Sequence, residues 1–156
     1  MKVKKNKAFK YAGSKEFCID KINEYINIYC KDYKRYYELF VGSGSIFYNL
    51  IDNKLSIIND LDFAICYMHN AIKEYTYVEY EHEYNNILNI YGDIKNSKES
   101  YYNFRDDFNK RYWTSIQEKR YDKGGLWLLI LSSSCINSML RFGPNRNESI
   151  LWKSYK

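Results

Sequence analysis

Apolar positions along the chain follow a helical period first, then a mixture of short strands and helices, and finally helices alone. Over residues 15–30, Phe17, Ile22, Tyr25, Ile26 and Tyr29 recur at mostly three- and four-residue spacing, which predicts a helix capped by Ser14. "YYELFV" (36–41) reads as a buried strand that runs straight into "GSGS" (42–45), and "IFYNLI" (46–51) supplies a helical face. "KLSIIND" (54–60) is a second short strand ending in an acid, followed by a helix over "DFAICYMHNAIKEY" (62–75). The order helix, strand, glycine turn, helix, strand, acid, helix is the first half of a doubly wound α/β sheet.

After residue 76 the strand patterns stop. "YVEYEHEYNNILNIY" (77–91) and "KESYYNFRDDFNKRY" (98–112) read as helices, "EKRYDKGG" (118–125) as a loop, and "LWLLILSSSCINSMLRF" (126–142) as an apolar helix that turns polar at its end. No repeat or low-complexity linker separates the halves, so the expected organisation is an α/β region over 1–76 with an inserted, mainly helical region over 77–156.

Chemistry in such a sheet is expected at the carboxyl ends of the strands, where a glycine turn admits a ligand and the next strand's acid takes a ribose diol. Gly42 and Gly44 suit the first role and Asp60 the second. A third glycine of the dinucleotide fingerprint and a G-K-[ST] are both missing, which favours a small adenosine ligand without phosphates over a phosphate cradle.

Composition narrows the classes. The longest purely apolar run, "LWLLIL" (126–131), is far short of the roughly 20 residues needed to span a bilayer, and no apolar stretch resembling a signal peptide follows "MKVKKNKAF", so a cytoplasmic protein without membrane association is expected. Cys18, Cys30, Cys66 and Cys135 form no C-x-x-C and are expected to be mostly buried, reduced thiols. With His69 and His82 as the only histidines, neither a metal site nor a histidine-based triad is expected. The net charge of +5 is uneven: residues 108–156 hold nine Lys/Arg against three Asp/Glu, which makes this basic third either a polyanion face or a solvated lysine-rich surface. The 18 tyrosines are spread along the whole chain and read as core filling and compositional bias.

Five segments taken in order, "NKAFKYAGSK", "YYELFVGSGSIFYNL", "IINDLD", "YYNFRDDFN" and "INSMLRF", resemble the Dam-type DNA adenine methyltransferases, the α-class of amino-methyltransferases, from about residue 6 to the end of the chain. The resemblance implies a partial Rossmann-like methyltransferase sheet with helices and an inserted, mainly helical target-recognition domain. It implies S-adenosylmethionine as cofactor, wrapped by Tyr11, Ala12, Gly13, Ser14 and Lys15 and bordered at its methionine end by Glu38, Phe40, Gly42, Ser43 and Gly44, with Asp60 on the ribose hydroxyls. Ordinary core packing of Tyr11 and Phe40, and a helix cap at Asp60, are the plainer alternatives.

Double-stranded DNA is the implied partner. By resemblance Lys10 contacts DNA, Ile136 and Asn137 take the place of a wedge into the duplex, Met139 makes an apolar contact, and Arg141 reads a base, a guanidinium suiting the two major-groove acceptors of guanine. Arg146 and Lys153 fit phosphate contacts and fit plain solvated charges equally well.

One departure from the family bears on activity. Its catalytic Asp-Pro-Pro-Tyr is not in this sequence, whose single proline, Pro144, lies in "RFGPNRN". Three readings follow. The chain is the amino-terminal portion of an adenine methyltransferase, completed by a carboxy-terminal half that a separate gene could encode. Alternatively it is a non-catalytic S-adenosylmethionine- and DNA-binding module, acting as decoy, regulator or complementing subunit, or it is a different nucleoside-binding protein. No catalytic residue is assigned under any of them.

Overall fold

The computed structural model describes residues 6–11, 13–51 and 55–135, and the backbone of 141–142 and 150–151. It divides into two compact units, Met1–Cys66 and Tyr67–Lys156.

In the first unit a single 3-10 turn, Glu16–Cys18, leads into α1 (Ile19–Tyr29). Ile19 is buried and Ile22 and Ile26 half-buried, the three- and four-residue spacing of one helical face. Phe17 precedes α1 in the 3-10 turn and Tyr29 is the last residue of α1, and they are 83% and 74% exposed. The Ser14 hydroxyl donates to Glu16 Oε1 at 3.1 Å, and no side chain caps α1. The Ser14 cap expected from the sequence is therefore not formed.

Strands β1 (Arg35–Glu38) and β2 (Leu55–Ile58) pair in parallel, with Arg35 opposite Leu55 and Glu38 opposite Ile58. The four-residue helix α2 (Phe47–Leu50) lies between them in sequence. Two further backbone bonds, Asn59 N to the Glu38 carbonyl at 2.8 Å and Val41 N to the Asn59 carbonyl at 2.9 Å, carry the pairing past the strand ends. Side chains alternate across the pleat: Tyr37, Leu55 and Ile57 are exposed, while Tyr36, Glu38, Ser56 and Ile58 are partly buried. The unit's buried apolar residues, Phe9, Ile19, Val41, Ile46, Ala64 and Ile65, make a small core.

The second unit is helical. It takes in most of α3 (Phe63–Glu74), then α4 (Tyr77–Tyr91), α5 (Lys98–Gln117) and α6 (Gly124–Ser134). Helix α4 starts on a capping box in which Thr76 and Glu79 satisfy each other's amides, and it stops at Gly92, whose φ of 82° suits glycine. Ser97 caps α5, which continues five residues past the sequence expectation because neither Gly nor Pro interrupts it before Gln117.

Helix α6 begins two residues early, inside the segment read as a loop, and is buried almost all round through Leu126, Trp127, Leu128, Ile130 and Leu131. It ends at Ser134, well short of residue 142. Ser132 Oγ donates to the Leu129 carbonyl at 2.8 Å and Ser133 Oγ to that of Ile130 at 2.7 Å, so side chains compete for the helix's acceptors, and Cys135 is extended with ψ of 152°. Arg141–Phe142 (β3) pair antiparallel with Ile150–Leu151 (β4).

The core of this unit centres on Trp127, whose ring lies within 6.4 Å of those of Tyr91, Phe104 and Tyr112. Its indole Nε1 donates to Glu83 Oε1 at 2.5 Å, and Lys123 Nζ lies 2.8 Å from Glu83 Oε2. Burial pushes the Glu83 carboxyl up, but the hydrogen bonds and charge of Lys123 and Trp127 outweigh it and hold the group below its usual range.

Gly125 allows α6 to approach α3. A Cβ there would stand 2.6 Å from the Tyr67 carbonyl oxygen and 3.3 Å from Ala71 Cβ, and backbone does not give way cheaply. Alanine gains at most about 1 kcal/mol in helix propensity over glycine, whereas overpacking costs about 1–3 kcal/mol. Gly125→Ala is therefore expected to lower stability, read as a reduced denaturant midpoint; an unchanged or higher midpoint would contradict this packing.

The thiols differ from expectation. Cys135 is buried, Cys18 and Cys66 are partly buried, and Cys30 is exposed because it follows the last turn of α1 outside the packed face. Among the described residues no helix is long and apolar enough to cross a membrane.

Candidate functional site

Beyond β1 the chain folds into a tight turn at "GSGS". Gly44 N donates to the Val41 carbonyl and Tyr48 N to the Gly44 carbonyl, both at 2.8 Å, which closes the turn and starts α2. Gly42 sits at φ of 50°, where a side chain is strained, and a Cβ on it would stand 3.1 Å from two carbons of the Tyr11 ring. Backbone conformation and the close ring thus both call for glycine.

Asp60, at the end of β2, reaches across to this turn. Its Oδ2 accepts from Gly42 N at 3.0 Å and its Oδ1 from Asp62 N at 3.1 Å. The cap of α3 is supplied by Asp62, whose Oδ1 accepts from Ala64 N at 3.0 Å. Asp60 is therefore not the cap of the following helix; it ties the two strand ends together.

Residues 6–8 and 15 are pinned along the other side of the turn. Ala8 N donates to the Ser43 carbonyl at 3.1 Å, Lys15 N to Ser45 Oγ at 3.1 Å, and Asn6 exchanges hydrogen bonds with the Asn49 amide at 2.7 and 2.5 Å. Lys7 pairs with Glu16 at 2.8 Å.

Between these walls lies a cavity of about 280 Å³. Tyr11, Gly13, Ser14 and Lys15 line one side, and Glu38, Phe40, Gly42, Ser43 and Asp60 the other. Nine of the eleven residues that the sequence singled out for the cofactor are thus brought together; Gly44 closes the turn without lining the cavity, and Ala12 lies outside the described residues. Tyr11 is 40% and Phe40 80% exposed, so neither is a core residue. Sequence reasoning missed Val41 and Ser45 in the lining and Asn49 as the anchor of Asn6. Ser45 had a readable signal, since it belongs to the same glycine-serine turn.

The electrostatics of the cavity favour a ligand with donors and positive charge. Burial pushes the Glu38 carboxyl up, and the bonds it accepts from Tyr36 Oη, at 2.7 Å, and from the Phe47 amide only partly offset this. Burial, with the charges of Asp60 and Asp62, likewise raises the Tyr11 hydroxyl. The Lys15 ammonium donates to the Gly13 carbonyl at 2.7 Å. The Asp60 carboxylate is oriented by two backbone amides and keeps lone pairs for a diol. A ligand in this cavity would meet two carboxyl groups, Asp60 and Glu38.

A second cavity of about 440 Å³, in the helical unit, is lined by Tyr75, Val78, His82 and Leu126 among others. Its charged groups are already engaged: Glu79 in the capping box and Glu83 with Lys123.

Of the residues assigned to DNA, Lys10 is exposed and Arg141 lies in β3. Ile136, Asn137, Met139, Arg146 and Lys153 fall outside the described residues. Asp106 and Asp107 are paired on α5 with Arg105, at 2.5 Å, and Arg111, at 2.9 Å.

Comparison with known proteins bears on the whole arrangement. The family model for the D12 class N6 adenine-specific DNA methyltransferases matches residues 11–156. Type II methyltransferase M.MjaIII of Methanocaldococcus jannaschii is 28% identical over 160 residues, a match covering 94% of this chain and 52% of the relative. The DNA adenine methylase of Escherichia coli K12 is 33% identical over 111 residues, covering 69% of this chain and 36% of the relative. The chain thus spans about half, or less, of the length of these curated relatives. With a match running from Tyr11 in the cavity wall to the last residue, the chain belongs to the D12 class N6 adenine-specific DNA methyltransferases.

Proposed function

We propose that this chain binds S-adenosylmethionine in the cavity beside the "GSGS" turn and double-stranded DNA through residues 77–156, as the amino-terminal portion of an adenine N6-methyltransferase. The observation that carries the reading is the Asp60 carboxylate. It is held by two amides at the carboxyl end of a parallel strand and faces a cavity closed by the Tyr11 segment, as a ribose-binding acid should be. The cofactor supplies the methyl group. The chain's own residues hold it: Asp60 accepts from the ribose hydroxyls, Glu38 accepts from the amino-acid ammonium, and Tyr11 and Phe40 offer aromatic surface.

The helical region recognises DNA in this reading, with Arg141 reading a base, Ile136 and Asn137 at the wedge, Met139 in apolar contact, and Arg146 and Lys153 on the phosphates, while Lys10, beside the cofactor turn, also contacts DNA. Residues 1–76 and 77–156 are the functional divisions. A carboxy-terminal half, in the same or a separate polypeptide, supplies the catalytic motif that this sequence lacks.

Titration against cognate and scrambled duplexes tests the DNA assignment. Arg141→Ala is expected to cut discrimination by about 1–3 kcal/mol, whereas Lys153→Ala weakens all sequences alike, and affinity falls steeply with salt. No binding to duplex DNA at low salt would overturn it.

A further inference from the structure

Strand pairing in the first unit ends at Asn59, whose amide donates to the Glu38 carbonyl and whose carbonyl accepts from Val41 N. Asp60 is the first residue beyond that ladder, and a side chain takes over where the ladder stops. The Cys66 sulfur, in the first turn of α3, accepts from Asp60 N at 3.2 Å, and its S–H donates to the Asp60 carbonyl at 3.6 Å. One thiol thus holds both backbone groups of the acid. Burial pushes that thiol up against the opposing effect of its bond with the Asp60 backbone, so the sulfur keeps the proton it donates.

The direction of the Asp60 side chain follows from this clamp. Its carboxylate accepts from Gly42 N at 3.0 Å and from Asp62 N at 3.1 Å and lines the cavity. Those bonds tie the carboxylate to the glycine turn and to the start of α3. The main chain from which it hangs is fixed to α3 by the thiol, so a shift of the Asp60 backbone would turn the carboxylate away from the turn and from the cavity together. We propose that Cys66 is a positioning residue, whose thiol fixes the Asp60 backbone and through it aims the carboxylate at the Gly42 amide and at the ligand's diol; the diol rests on the cofactor reading above, the Gly42 amide does not.

Two readouts on the full chain separate this role from packing. The first needs no ligand. Hydrogen exchange of the Gly42 amide, followed by NMR, is expected to quicken severalfold in Cys66→Ala and to return toward the wild-type rate in Cys66→Ser, whose hydroxyl also donates and accepts. The second is a double-mutant cycle. Calorimetric affinity for S-adenosylmethionine is expected to fall about fivefold in Cys66→Ala. The same substitution made in Asp60→Ala is expected to change affinity by less than about twofold, because the thiol acts only through the acid. Should Cys66→Ala fail to fold, Cys66→Val, which refills the volume without a polar atom, carries both comparisons.

An unchanged Gly42 exchange rate in Cys66→Ala would overturn the proposal. So would an equal loss of affinity in both backgrounds, which would make the thiol a packing group. Wild-type protein that does not bind S-adenosylmethionine would overturn the cofactor reading, and the exchange rates would still decide whether Cys66 sets the position of Asp60.

Discussion

Asp60→Ala is expected to weaken S-adenosylmethionine binding by roughly 10- to 150-fold, which corresponds to about 1.5–3 kcal/mol for hydrogen bonds to a charged acceptor. Two effects add. The ribose hydroxyls lose their acceptor, and the Gly42 amide, now bonded to Asp60 Oδ2 at 3.0 Å, loses its restraint. Asp60→Asn separates them, because its side-chain oxygen can still take the Gly42 amide while the charge is gone. A loss in Asp60→Asn close to that in Asp60→Ala would assign the effect to charge-assisted binding. Superimposable titration curves for wild type and Asp60→Ala would remove Asp60 from the site.

The second large expectation is that this chain alone incorporates no tritiated methyl into adenine-containing duplex DNA. Positioning of two bound reactants accounts for about 7–11 kcal/mol of a barrier, and the sequence has no Asp-Pro-Pro-Tyr to hold the target amine. The adjacent acids of α5, Asp106 and Asp107, are already engaged. Asp106 is paired with Arg105, and Asp107 accepts from both Tyr91 and Arg111, bonds that outweigh burial and hold its carboxyl below the usual range. Mixing with a polypeptide that carries the motif, such as the carboxy-terminal half of a related enzyme, should produce activity if the chain is one half of a split enzyme. Transfer by the chain alone would refute the assignment of the catalytic groups to another segment.

The legible parts of the fold were those fixed by local chemistry. Helix α4 begins and ends at the expected residues, because a Thr-x-x-Glu box and a glycine bound it. The glycine turn between β1 and α2, with an acid at the next strand end, could also be read directly, since strand order and Gly placement are sequence properties. Long-range contacts were less accessible. That Asp62 caps α3 while Asp60 reaches back 18 residues to Gly42 depends on strand register. That α6 starts at Gly124 depends on the close fit of Gly125 against Tyr67, and its end at Ser134 on how three serines spend their hydroxyls. Likewise, Phe17 and Tyr29, at the two ends of the helical pattern, are exposed because the packed part of the helix lies between them.

The cavity's walls come from positions far apart in the chain, Tyr11 and Lys15, Glu38 and Ser45, and Asp60 among them, in a unit whose described buried apolar residues are few. A ligand that bridges them acts as a reversible cross-link. It stabilises the folded form by an amount set by its concentration relative to Kd, about 2.7 kcal/mol at a hundredfold excess. The abundance of the folded protein in a cell would then follow the supply of methyl donor, so that starvation for the cofactor first shortens the protein's lifetime and only afterwards limits what it can bind.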